Sequence, residues 1–170
     1  PQNIVVPVLH GSAPVGRSGI LHISDLHFGG DHAYDPTPAG VSRPRLIDQL
    51  ISGLPSAPAV VVVSGDLTTQ GQSDGLINAR SFLEELARRL ELPRNCIVIV
   101  PGNHDILVDD AAAVKNMSNE KPFRDFLQLY YGSPTELERI HVVSLSSGQK
   151  LAFGTGNSSK YRANILMDYG

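Results

Sequence analysis

Cysteine is almost absent from this chain, and several other features that would settle its class at once are missing too. The single Cys96 cannot form an internal disulfide, which excludes a disulfide-stapled secreted scaffold and suits a small buried hydrophobe in a reducing compartment. A basic excess is also lacking. With 14 Lys and Arg against 17 Asp and Glu, the net charge is −3, so the chain has no overall field of the kind that phosphate-backbone binders carry. No apolar run approaches membrane-spanning length. The first residues show no charged region followed by a continuous apolar stretch, because Pro7, His10 and Pro14 interrupt it. Internal repeats and low-complexity tracts are not visible. What remains, at 170 residues and 41% hydrophobic content, is a chain able to bury one sizeable core. It reads as a soluble, cytoplasmic protein with no membrane partner.

Three stretches share one design. Gly19-Ile20-Leu21-His22-Ile23-Ser24 runs into Asp25-Leu26-His27-Phe28. Ala59-Val60-Val61-Val62-Val63-Ser64 runs into Gly65-Asp66, and Val98-Ile99-Val100 into Pro101-Gly102-Asn103-His104-Asp105. Each is a β-branched apolar run that ends in a turn carrying oxygen or nitrogen donors, the way a parallel sheet presents chemistry at its C-terminal edge. Cys96 is expected to open the third strand.

Between the strands the spacing predicts helices. Pro44 to Ile51 places Leu46, Ile47, Leu50 and Ile51 on one face, and about Gly75 to Leu90 carries the stripe Leu76, Ala79, Phe82, Leu83, Leu86, Ala87, Leu90. Glu84–Arg88 and Glu85–Arg89 are expected as i,i+4 pairs on its solvated face. Strand–helix alternation implies right-handed crossovers and an α/β fold with a mainly parallel sheet. Further on, Ala111 to Lys115 and Lys121 to Tyr131 read as helices, the latter stopped by Gly132. Arg139 to Leu145 reads as a strand, with short candidate strands at Leu151 to Phe153 and Ile165 to Met167. Pro1 to Ser18 reads as a loosely attached lead-in with an edge strand at Ile4-Val5-Val6, leaving 19–170 as the domain. The Gly- and Pro-rich loop 29–40 is expected to overhang the site, with His32 as a solvated loop residue.

The donors themselves suggest a metal site. Asp25 and His27 stand at i and i+2, so extended backbone would point both the same way. Asp66 has two oxygens with which to bridge cations, Asn103 offers a neutral carbonyl oxygen and His104 a titratable nitrogen. Carboxylates mixed with imidazole suit Mn, Fe, Zn or Co rather than calcium. Two such ions about 3.5–4 Å apart would polarise a phosphoryl group and acidify water. His22 has the opposite parity and reads as a satisfied sheet-face histidine.

Asp25-Leu26-His27, Gly65-Asp66 and Gly102-Asn103-His104-Asp105 resemble the first three motif blocks of the calcineurin-like metallophosphoesterases. The resemblance implies an αββα sandwich and two divalent metal ions, one served by Asp25, His27 and Asp66. Asp66 would bridge to a second ion held also by Asn103. By the same carry-over His104 is not a ligand but the group that stabilises the phosphoryl transition state or protonates the leaving oxygen, with Asp105 steadying it. The implied activity is a metal-dependent phosphoric ester hydrolase using a metal-bridged hydroxide on a small phosphoester or nucleotide. Gly65-Asp66-Leu67-Thr68-Thr69-Gln70-Gly71 leans toward the phosphodiesterase branch rather than the nuclease branch.

The family's later blocks, which carry a Gly-His-x-His, have no counterpart here, and His141 reads as a strand residue rather than a ligand. The sandwich is therefore expected to be incomplete. Arg139 to Ser147 resembles the strand after the third block, and Lys150 to Asp168 the end of the domain, so a missing piece is expected near 147–150. A nuclease of the same family and a non-catalytic scaffold on the same fold are the alternative readings.

Overall fold

Valine and isoleucine runs build the middle of the central sheet. The computed structural model describes residues 6–29, 43–106 and 120–156. Strands β2 (Ile20–Ile23), β3 (Val60–Ser64) and β4 (Ile97–Val100) pair in parallel, in the order β2-β3-β4. The middle strand is the most deeply placed. Val60, Val61 and Val63 are fully buried, as a strand covered on both faces must be. Each such side chain withdrawn from water contributes about 1.5–3 kcal/mol.

Helix α1 (Arg43–Ser52) connects β2 to β3, and α2 (Ser73–Arg89) connects β3 to β4. All seven positions of the expected stripe on α2 and at Leu90 are buried. Asp74 in its first turn and Arg88 and Arg89 in its last complement the helix dipole. The ion pairs differ from expectation. Glu84 meets Arg80 and Arg94, Glu85 meets Arg88, and Arg89 crosses to Asp48 of α1. Long side chains choose among all carboxylates within reach, and none of these four pairs is one of the two expected; only Arg80–Glu84 keeps an i,i+4 spacing. After α2 a short 3₁₀ turn, Arg94–Cys96, leads into β4. Cys96 thus closes that turn and does not open the strand; it is fully buried, which pushes its thiol up.

Helix α3 (Lys121–Tyr131) has the ends expected of it. Pro122 lies in its first turn, and Gly132 at φ 72° donates its N–H to Gln128 O, a left-handed cap that glycine takes without a Cβ penalty. Phe123, Phe126, Leu127 and Tyr130 face the core.

A second sheet joins β1 (Val8–Ser12), β5 (Arg139–Ser144) and β6 (Lys150–Thr155) in the order β1-β5-β6. β1 lies within the stretch read as a loose lead-in, yet it runs parallel to β5 from Val8↔Ile140 to Ser12↔Ser144. Non-local pairing decided this, because five residues that include Gly11 carry little strand signal of their own. Arg139 ties this sheet to the β4 side of the first, its Nη2 donating to Ile99 O at 2.8 Å, while Tyr131 OH ties α3 to the same strand by donating to Ile97 O at 2.7 Å. β5 and β6 are antiparallel from Arg139↔Thr155 to Ser144↔Lys150. At the junction where a missing piece is expected, a tight turn joins them, with Leu145 N–H on Gln149 O and Gly148 N–H on Leu145 O.

The fold is α/β with a parallel sheet, as expected. Ile4 and Val5, loop 30–40 with His32, Ala111 to Lys115 and Ile165 to Met167 lie outside the described residues. Among the described residues no helix is long and apolar enough to cross a membrane.

Candidate metal centre

Hydrogen bonding between β2 and β3 continues beyond the strand ends. Asp25 N–H donates to Gly65 O at 3.2 Å, His27 N–H to Asp66 O at 2.9 Å and Phe28 N–H to Leu67 O at 2.7 Å. These bonds hold the first and second donor turns side by side. One ligand atom from each of Asp25, His27 and Asp66 lies within 4.8 Å of the others, a spacing at which a single ion can be held. His27 Nε2 is 3.9 Å from Asp25 Oδ1.

The backbone does not follow the route expected for this convergence. Asp25 (φ 58°), His27 (φ 46°) and Asp66 (φ 51°) all lie in the left-handed region, so the first two are not aligned by extended alternation. Among the described residues, three of the four non-glycine positions with positive φ are these three donors. Asp and His tolerate that region better than most residues, but each still costs about 1–2 kcal/mol. The surrounding bonds impose it. Strain of this kind collects where side chains must be aimed.

The third turn closes on the second. Gly102 comes so near Asp66 that a Cβ there would stand 2.2 Å from Asp66 Oδ1 and 2.3 Å from its backbone N. Only glycine fits. His104 N–H then donates to Asp66 Oδ1 at 3.0 Å, which leaves Asn103 between the glycine packed against Asp66 and the residue that bonds its carboxylate.

Asp105 has a different task from the one expected. Its carboxylate does not reach the His104 ring. Oδ1 accepts from Thr68 N–H at 2.7 Å and Thr68 Oγ1 at 3.0 Å, while Oδ2 accepts from Gly102 N–H at 2.8 Å and Leu67 N–H at 3.2 Å. This buried carboxylate staples the Leu67–Thr68 turn to the Gly102 turn. Burial pushes its carboxyl up, against the pull of those donors.

The His104 ring is held instead by Thr69. Its Nδ1 stands 2.8 Å from Thr69 O, and since a carbonyl only accepts, Nδ1 carries the proton of the neutral ring. The ring packs edge-on against His27, centroids 5.2 Å apart. Thr68 and Thr69 were not singled out as supports from the sequence, although threonine after a Gly-Asp turn is a common local hydrogen-bonding type.

Two other histidines lie apart. His22 is exposed, its Nε2 2.5 Å from Ser64 Oγ, as expected of a satisfied sheet-face residue. His141 is fully buried in β5, with Nε2 donating to Asn95 O at 2.7 Å.

Two carboxylates and an imidazole with ligand atoms this close together suit borderline divalent cations. Comparison with known proteins agrees. The chain matches the calcineurin-like phosphoesterase family over residues 19–170. The comparison with curated proteins gives no match. The family uses divalent metals and acts on phosphoesters. With the match spanning most of its length and donor turns from three parallel strands meeting at one end of the sheet, this chain belongs to the calcineurin-like phosphoesterase family.

Proposed function

We propose that this chain carries the metal-binding half of a phosphodiesterase with a dinuclear site. The convergence of Asp25, His27 and Asp66 carries the reading. These three would hold one ion, and Asp66 with Asn103 would hold the second. Divalent ions bound there would supply Lewis-acid polarisation of a phosphoryl oxygen and acidify a water. His104 would then serve as the proton donor to the leaving oxygen. Its Nδ1 is engaged by Thr69 O, so Nε2 is the atom that would first take up a proton from water and then pass it to the leaving oxygen, returning the ring to its Nδ1–H form. A small diester or nucleotide is the substrate class, given the net charge of −3 and the Gly65-to-Gly71 sequence.

The test is hydrolysis of bis-p-nitrophenyl phosphate by the complete protein with added Mn²⁺. Asp66→Asn is expected to abolish it, and full activity in that variant would sink the assignment.

The absence of the later histidine blocks supports two further points. A piece of the complete domain is proposed to be lost near 147–150; the full-length natural transcript checks this, and one encoding residues 145–151 without interruption rejects it. The direct turn between β5 and β6 favours, as a second reading, a non-catalytic scaffold. Calorimetric titration with Mn²⁺ or Zn²⁺ separates scaffold from hydrolase, because a scaffold has no tight divalent site.

A further inference from the structure

Thr69 is tied at once to the backbone of the first donor turn and to the ring presented by the third. Its N–H donates to Phe28 O at 3.1 Å, and its hydroxyl donates to His27 O at 3.0 Å. Its own carbonyl accepts a hydrogen bond from His104 Nδ1–H at 2.8 Å. The residue is 4% exposed, so water competes little for any of these bonds.

We propose that Thr69 is a positioning residue for His104: its carbonyl oxygen holds the imidazole as the Nδ1–H tautomer, and its hydroxyl fixes that carbonyl by anchoring to His27. The physical case is a short one. In a neutral imidazole, the partner of one nitrogen decides which nitrogen is bare. A carbonyl at Nδ1 leaves Nε2 of the neutral ring bare and oriented, whereas free imidazole side chains in water favour the opposite tautomer. Nε2 is then the atom that would take up the transferred proton and pass it to the leaving oxygen. The carbonyl can do this only while its peptide is held in place. Phe28 O holds the N–H side of Thr69, and the hydroxyl supplies a second, independent anchor on the adjacent residue. Since His27 is itself a proposed ligand, the same anchor keeps the His104 ring in register with the metal-binding turn. Asp105 reinforces the turn one residue earlier, through Thr68 N–H.

This proposal rests on the hydrolase reading for its kinetic consequence but not for its structural one. Long-range ¹H–¹⁵N correlation on the metal-free full chain, assigned by the loss of signals in His104→Asn, reports the tautomer directly. The expected pattern is a protonated Nδ1 and a bare Nε2 for His104. The opposite pattern in the unsubstituted protein overturns the proposal, whatever the variants do. Thr69→Val keeps the shape and removes only the hydroxyl; it should return the ring to a mixture of tautomers. In a complete, metal-loaded protein it should lower kcat about 10–100-fold, with KM and metal content little changed, as loss of a supporting hydrogen bond does. Thr69→Ser should restore both the tautomer and kcat. Unchanged ring signals and unchanged kcat in Thr69→Val overturn the proposal. A chain without phosphodiesterase activity that still shows the tautomer and its dependence on Thr69 refutes the hydrolase reading alone.

Discussion

The backbone N–H of His104 donates to Oδ1 of Asp66 at 3.0 Å, joining two turns that stand 38 residues apart in sequence. One oxygen of the proposed bridging carboxylate is thus oriented by the very turn that presents Asn103 and His104. The site's donor geometry is therefore set by contacts between turns rather than within them. Four expectations follow from that interlocking and from the buried histidine of the second sheet.

Gly102→Ala should damage the site more than any surface change. Its methyl group would sit 2.2 Å from Asp66 Oδ1, so either the carboxylate or the whole turn has to move. Overpacking of this kind costs about 1–3 kcal/mol or more. We expect a lower urea midpoint and loss of divalent binding by calorimetry. Metal affinity equal to that of the unsubstituted chain would show that Asp66 is not held as described.

Asp105→Asn tests the staple. The amide keeps the size but offers a donor where the carboxylate accepts, against four donors on its two oxygens. Leaving buried N–H groups unpaired should cost about 2–4 kcal/mol. Equilibrium urea unfolding should show a reduced midpoint with the slope unchanged. A midpoint within error of the parent would mean water reaches these donors.

His104→Asn separates proton transfer from metal binding. Turnover of a diester by the complete, loaded protein should fall about 10²–10⁴-fold, the usual contribution of a positioned acid. Metal content measured by atomic emission should stay nearly constant. Metal lost together with activity would make His104 a ligand.

Stability should fall on acidification because of His141. Burial lowers its imidazole below the ordinary value; Asn95 O opposes this, and Arg139 and His10 add to the lowering. Nε2 already donates to Asn95 O, and Nδ1 is buried without a partner, so a second ring proton would find no acceptor. The unfolded imidazole, near pH 6.5, therefore binds protons more readily than the folded one. Its contribution to stability is complete above about pH 6.5 and is lost as pH falls through the lowered folded value. Urea midpoints from pH 7.5 to 5 should drop, and His141→Gln should flatten that drop. An unaltered pH slope in the variant would assign the acid sensitivity elsewhere.

Much of this architecture was legible in the residues themselves. Helix α3 matches its expected bounds because apolar spacing, Pro122 and Gly132 are all local signals. The buried stripe of α2 and the parallel strands β2, β3 and β4 follow in the same way from periodicity and from β-branched runs. The donor types at the strand ends were equally plain, and with them the family.

What periodicity could not supply was anything set by partners far along the chain. The left-handed backbone at Asp25, His27 and Asp66 is imposed by bonds to Gly65, Asp66, Leu67 and the Gly102 turn, not by the residues' own preferences. Asp105 turned from an expected support of His104 into a staple, because four nearby donors outcompete one ring. β1 became a strand only because β5 offered it an edge. The sequence by itself determined which elements form and which chemistry their ends carry, since both are written in neighbouring residues. The tertiary structure alone decided how those ends are aimed, since that depends on hydrogen bonds and close approaches between residues tens of positions apart.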